Sequence, residues 1–88
     1  MRIEVIRSGG FAGIERRAEL DTAGRPDAAH LHAVARATVE QARAAPQHGV
    51  PDGFHYEITV DGRTVHCADP NLTEAQRDLI QTVLKEGA

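Results

Sequence analysis

Two segments of alternating polarity flank the hexapeptide Ser8-Gly9-Gly10-Phe11-Ala12-Gly13, and this arrangement most constrains the fold. In residues 1–7 (MRIEVIR), Met1, Ile3 and Val5 point one way and Arg2 and Glu4 the other, the signature of a half-buried strand. Ile14 to Leu20 (IERRAEL) repeats the pattern, with Ile14, Ala18 and Leu20 inward and Glu15, Arg17 and Glu19 outward. If Arg7 opposes Ile14, both inward sets fall on one face, and the hexapeptide closes an antiparallel hairpin in register. An ordinary hairpin uses a polar two-residue turn. This connection is longer, holds three glycines that permit positive φ, and carries Phe11, one of two phenylalanines in the chain. The Phe11 ring either folds back to close the core or is presented to a partner.

The rest of the chain completes the same architecture. Asp21 to Arg25 reads as a turn. Pro26 suits the first position of a helix, and Asp27 complements its positive end. Residues 26–44 carry a narrow stripe of Ala28, Leu31, Val34 or Ala35, Thr38 and Ala42 at helical spacing. Pro46, Gly49, Pro51 and Gly53 punctuate a loop. Phe54 to Val60 (FHYEITV) is the clearest strand, and Asp61-Gly62 is a type I′ hairpin signal. That turn predicts Val60 opposite Arg63, Ile58 opposite Val65 and Tyr56 opposite Cys67. Asp69-Pro70-Asn71 ends the fourth strand. Thr73-Glu74-Ala75-Gln76 reads as a capping box, followed by an amphipathic helix on Ala75 or Gln76, Leu79, Ile80, Val83 and Leu84, with Gly87 as its stop. The predicted fold class is α+β. It is a two-layer sandwich in element order ββαββα, with a four-stranded antiparallel sheet and both helices on one face. Strand order is left open by the sequence.

Composition narrows the function. With 88 residues, the chain has room for one domain and one modest core, burying about 60–65% of its unfolded surface. A net charge of −3, without a basic stripe interleaved with aromatics, argues against nucleic acid or an anionic membrane as partner. The single Cys67 excludes an internal disulfide and a cysteine zinc cage. No secretory signal or membrane-length apolar run is visible, so a cytoplasmic location is expected, with release by another route left open.

No cluster of side chains reads as an active site. His30 and His32 stand about 160–200° apart around a helix and cannot share an ion. His55, Glu57 and His66 gather on the outward face of the second hairpin, but no fourth ligand or enclosing loop accompanies them, so no metal or other cofactor is expected. Cys67 alternates inward as a small hydrophobe. Ser8 has no histidine in its own hairpin. The glycine loop leads into a strand rather than a helix and lacks a following lysine, which disfavours a phosphate cradle. An interaction module is therefore expected rather than an enzyme.

The opening strand Met1-Arg2-Ile3-Glu4-Val5 with Ser8-Gly9-Gly10-Phe11-Ala12-Gly13 resembles emfourin and its relatives. The resemblance continues through Pro51-Asp52-Gly53-Phe54-His55-Tyr56-Glu57-Ile58-Thr59-Val60 and the terminal helix from Leu72. These relatives are small protein inhibitors of thermolysin-like zinc metallopeptidases, including protealysin-type enzymes. The resemblance implies a four-stranded antiparallel sheet with two helices and a peptidase as partner. It also implies a target-binding loop of Ser8, Gly9, Gly10, Phe11, Ala12 and Gly13. Phe11 would fill the pocket that receives a bulky apolar side chain after the scissile bond, and Ser8 would bring its hydroxyl or carbonyl near the zinc. His48, Pro51 and Asp52 form a second loop that could add a contact, depending on strand order. The free protein is expected to be monomeric. The competing expectation is a non-inhibitory binding or oligomerisation module acting through a sheet edge or the His55/Glu57/His66 face.

Overall fold

A computed structural model describes residues 1–9, 14–44, 53–69 and 71–88. Strands β1 (Arg2–Gly9) and β2 (Arg16–Asp21) precede helix α1 (Ala28–Ala44). Strands β3 (Phe54–Val60) and β4 (Arg63–Ala68) precede helix α2 (Glu74–Glu86). The strands form one antiparallel sheet in the order β2-β1-β3-β4. The predicted α+β class and ββαββα order are both present.

Burial follows the alternation. Ile3, Val5, Ala18, Leu20, Tyr56, Ile58, Val60, Val65 and Cys67 share one buried face of the sheet. Leu31, Ala35, Val39 and Ala42 of α1 and Leu79, Ile80, Val83 and Leu84 of α2 cover that face. The stripe of α1 is made largely of small residues, so the helix buries little area per turn. The core therefore leans on the branched side chains of the inner strands and of α2.

The second hairpin has the predicted register: Val60 faces Arg63, Ile58 faces Val65 and Tyr56 faces Cys67. Asp61 and Gly62 take φ of 48° and 85°, the positive values that a type I′ turn requires. The first hairpin differs from expectation. Arg7 pairs with Arg16, not with Ile14, so the register lies two residues from the predicted one. A shift of two preserves which face each side chain occupies. Ala18 and Leu20 are accordingly inward. Ile14, expected inward, falls before the first rung and is 68% exposed. Ser8 and Gly9, expected in the connection, extend β1.

Helix α1 begins two residues later than predicted, with Pro26 and Asp27 in the preceding turn. The Ala28 amide donates to the Arg25 carbonyl there. Arg25 reaches both Asp27 at 2.9 Å and Glu86 at 2.8 Å, linking the start of α1 to the end of α2. The capping box of α2 is complete. Thr73 Oγ1 accepts from the Gln76 amide at 3.1 Å, and Gln76 Oε1 accepts from the Thr73 amide at 3.0 Å.

Gly87 ends α2, but not by the left-handed conformation that usually explains a glycine there. Its φ of −76° is open to any residue. Space is the reason. A Cβ on Gly87 would lie 2.6 Å from the Val83 carbonyl oxygen and 2.8 Å from that of Glu19. This close approach lets Ala88 exchange two backbone hydrogen bonds with Glu19 on β2, each 3.0 Å long. The helix end is thus stitched to an edge strand. Replacing Gly87 with Ala should force these backbones apart and lower stability by about 1–3 kcal/mol. Urea denaturation of the purified variant measures this, and wild-type stability would refute the space argument.

Candidate functional site

Strand order decides which loop ends meet. Gly9, the last residue of β1, pairs with Phe54, the first of β3. Gly9 has φ of +84°, a left-handed conformation, and a Cβ there would lie 3.0 Å from the Gly53 carbonyl oxygen. The attachment points of the two glycine-containing loops therefore touch, on neighbouring inner strands. Of the residues named from sequence, Ser8 and Gly9 are described in this position. Gly10, Phe11, Ala12 and Gly13, and likewise His48, Pro51 and Asp52, lie outside the described residues.

A stack of side chains braces this end of the sheet. The Arg7 guanidinium sits 4.5 Å from the centre of the Phe54 ring, within cation–π range. Phe54 meets Tyr56 at a centroid distance of 6.4 Å with the rings tilted by 54°. The Tyr56 hydroxyl donates to Asp69 Oδ2 at 3.3 Å, and the Asp69 amide donates to the Phe54 carbonyl at 3.0 Å. Burial, with the Asp69 carboxylate beside it, raises the Tyr56 pKa above the usual phenol value. Across the hairpin, Arg16 Nη2 donates to the Leu84 carbonyl at 2.6 Å, satisfying one of the acceptors left open in the last turn of α2.

Two of these residues had no role in the sequence reading. Arg7 and Arg16 are cross-strand partners, so both side chains leave the sheet on its helix-covered face. The available signal was parity: Arg7 continues the inward series of Ile3 and Val5, yet it is charged. Recognising its partner required the true register.

Two of the described histidines are each paired with a neighbour outside α1. His30 Nε2 lies 3.0 Å from Asp78 Oδ2, and His32 Nε2 lies 2.8 Å from Thr22 Oγ1, so each ring has its own neighbour. Glu57 faces His66 across β3 and β4 on the exposed side of the sheet. Among the described residues, no group of three or more His, Cys, Asp or Glu side chains could hold an ion. Ser8, without a histidine in its own hairpin, is brought opposite His55 by the β1–β3 pairing. No hydrogen bond joins them among the described residues.

The sheet edges differ in what they offer a partner. At Glu19, β2 is already paired by Ala88. Along β4, Arg63, Thr64 and His66 are exposed, the polar dressing that discourages edge-to-edge association. No described helix is long and apolar enough to cross a membrane.

Cys67 is 2% exposed, and burial pushes its thiol up to about 11. A raised thiol pKa favours the neutral form in the folded state. Its contribution to stability is complete below the unfolded thiol value and is lost as pH rises through the folded one. Cys67 should therefore resist a thiol reagent at neutral pH until the protein unfolds. Between roughly pH 9 and 11 stability should fall, with a shallower slope in Cys67→Ala. Rapid labelling of the native protein would contradict this burial.

The chain matches the family described as Emfourin over residues 5–84. No curated protein and no solved structure matches it.

Proposed function

The chain belongs to the emfourin family, whose members inhibit protealysin-type metallopeptidases, and from that premise we propose that it blocks the cleft of a thermolysin-like zinc metallopeptidase with its 8–13 loop. The carrying observation is the contact between Gly9 and Gly53 at one end of the sheet, braced by the Arg7–Phe54–Tyr56 stack. A loop fixed at its root loses less entropy on docking than a free peptide.

In this reading Phe11 fills the apolar pocket beyond the scissile position. The surrounding Gly9, Gly10 and Gly13, with the small Ala12, let the main chain approach the cleft walls and add strand-like hydrogen bonds. Ser8 brings a hydroxyl or carbonyl toward the peptidase's zinc. His48, Pro51 and Asp52 belong to the segment that re-enters the sheet beside Gly9, and they add a second contact. The chain needs no cofactor of its own, because the metal belongs to the target. Strands β1 and β2 hold the bound segment in a direction or curvature that the zinc-bound water attacks poorly, so the inhibitor is released intact.

Phe11→Ala should weaken inhibition of a thermolysin-like peptidase at least about tenfold, equivalent to about 1.4 kcal/mol or more, without moving the thermal midpoint. If the variant unfolds instead, the ring belongs to the core and this assignment fails. Mass spectrometry after incubation with the peptidase should recover an intact chain. Rapid cleavage between Gly10 and Phe11 with loss of inhibition would contradict the account of resistance.

A further inference from the structure

Arg7 and Arg16 form the last rung of the first hairpin, directly opposite each other on the same face. Like charges in that position destabilise a strand pair. The usual remedy is a carboxylate nearby, yet among the described residues neither arginine forms an ion pair. Nor does Lys85, which lines the same groove with Arg7, Arg16, Gln81 and Leu84. Among the described residues, three cations and no carboxylate line this groove, in a chain whose net charge is −3.

The two guanidinium groups are held in place rather than neutralised. Arg7 lies on the Phe54 ring, and its Nε is shielded from solvent without a hydrogen-bond partner among the described residues. Arg16 gives one N–H to the Leu84 carbonyl and keeps further donors. Asp69, whose carboxylate accepts from Tyr56, is engaged elsewhere. The groove begins two residues before Gly9 along β1, where the proposed inhibitory loop leaves the sheet.

We infer that Arg7, Arg16 and Lys85 form a cationic clamp that receives a carboxylate side chain from the rim of the target peptidase while the loop occupies its cleft. The inference rests on the proposed inhibitor function and adds the chemistry of the partner surface beside the loop. A guanidinium fork suits a carboxylate in two-point geometry. An aromatic support and a backbone anchor pre-organise the pair, so little side-chain freedom is lost on binding. The clamp also predicts kinetics: exposed cations beside a docking loop accelerate encounter with an acidic surface, and salt screens that effect.

The test uses the intact protein and a purified thermolysin-like peptidase that it inhibits. Inhibition constants and association rates are measured from about 0.05 to about 0.5 M NaCl, a range over which the screening length shortens severalfold. The Arg16→Gln/Lys85→Gln pair should weaken inhibition at least tenfold at low salt, mostly through slower association, and should flatten the salt dependence. Arg16→Lys, which keeps the charge and loses the fork, should fall between. Arg36→Gln, at the opposite end of the sandwich beside Met1 and Asp61, should behave as wild type. Thermal midpoints of all variants establish that they fold, and an unfolded double variant leaves the Lys85→Gln single variant to give the same readout. Equal inhibition by wild type and the clamp variants at every salt concentration would overturn the clamp and leave the loop assignment standing. Failure of the wild type to inhibit any thermolysin-like peptidase would overturn both.

Discussion

The antiparallel pairing of β1 with β3 is the constraint on which the rest of the molecule depends. Each hairpin alone is a two-stranded ribbon with one apolar face, marginal in water. Joining them along Ile3–Gly9 and Phe54–Val60 makes one sheet with a continuous apolar face. Only then do α1 and α2 have a common surface to bury. The same pairing sets Gly9 against Phe54 and brings Gly53 to 3.0 Å from where a Gly9 Cβ would stand. Core formation and loop placement are thus two consequences of one long-range register.

Polar ties fasten the helix layer to the β2 edge of this sheet and to the turn that follows it. Arg16 reaches the Leu84 carbonyl, Ala88 pairs with Glu19, and Arg25 links Asp27 to Glu86. Strand β2 is short and flanks the loop on one side only, so a hairpin without these ties would be free to fray. Fixing β2 to the end of α2 fixes the second root of the loop. Stability and recognition therefore share residues: Arg16 caps a helix with one N–H and presents others to the groove. An arginine can do both because its donors point in several directions from one rigid plane.

Much of this fold was legible wherever a local signal set a local geometry. Asp61-Gly62 specifies a two-residue turn, and the register of β3 with β4 follows from it. The capping box at Thr73 specifies the start of α2. The register of β1 with β2 was not legible. Its connection is long and rich in glycine, and alternation defines only the parity, which a two-residue shift leaves untouched. Ile14 consequently left the core, while Ala18 and Leu20 stayed in it. Gly87 was legible as the stop of α2, but the space it needs was not, because that need comes from Glu19, far away in sequence. At the candidate site, the loop stood out by composition and by resemblance. The Arg7–Arg16 rung did not, because like charges that face each other across a hairpin are visible only once the register is known.

The central claim is that the end of the sheet bearing Gly9, Phe54 and Arg16 is the face that meets a peptidase. Amide hydrogen exchange of the protein, free and bound to a thermolysin-like metallopeptidase, tests it most directly. The account predicts new protection at the amides from Ser8 through Arg16 and around Gly53, with the Asp61-Gly62 turn at the opposite end unchanged. Protection concentrated at that turn, or along the outer side of β4, with none gained at Ser8 to Arg16, would contradict it.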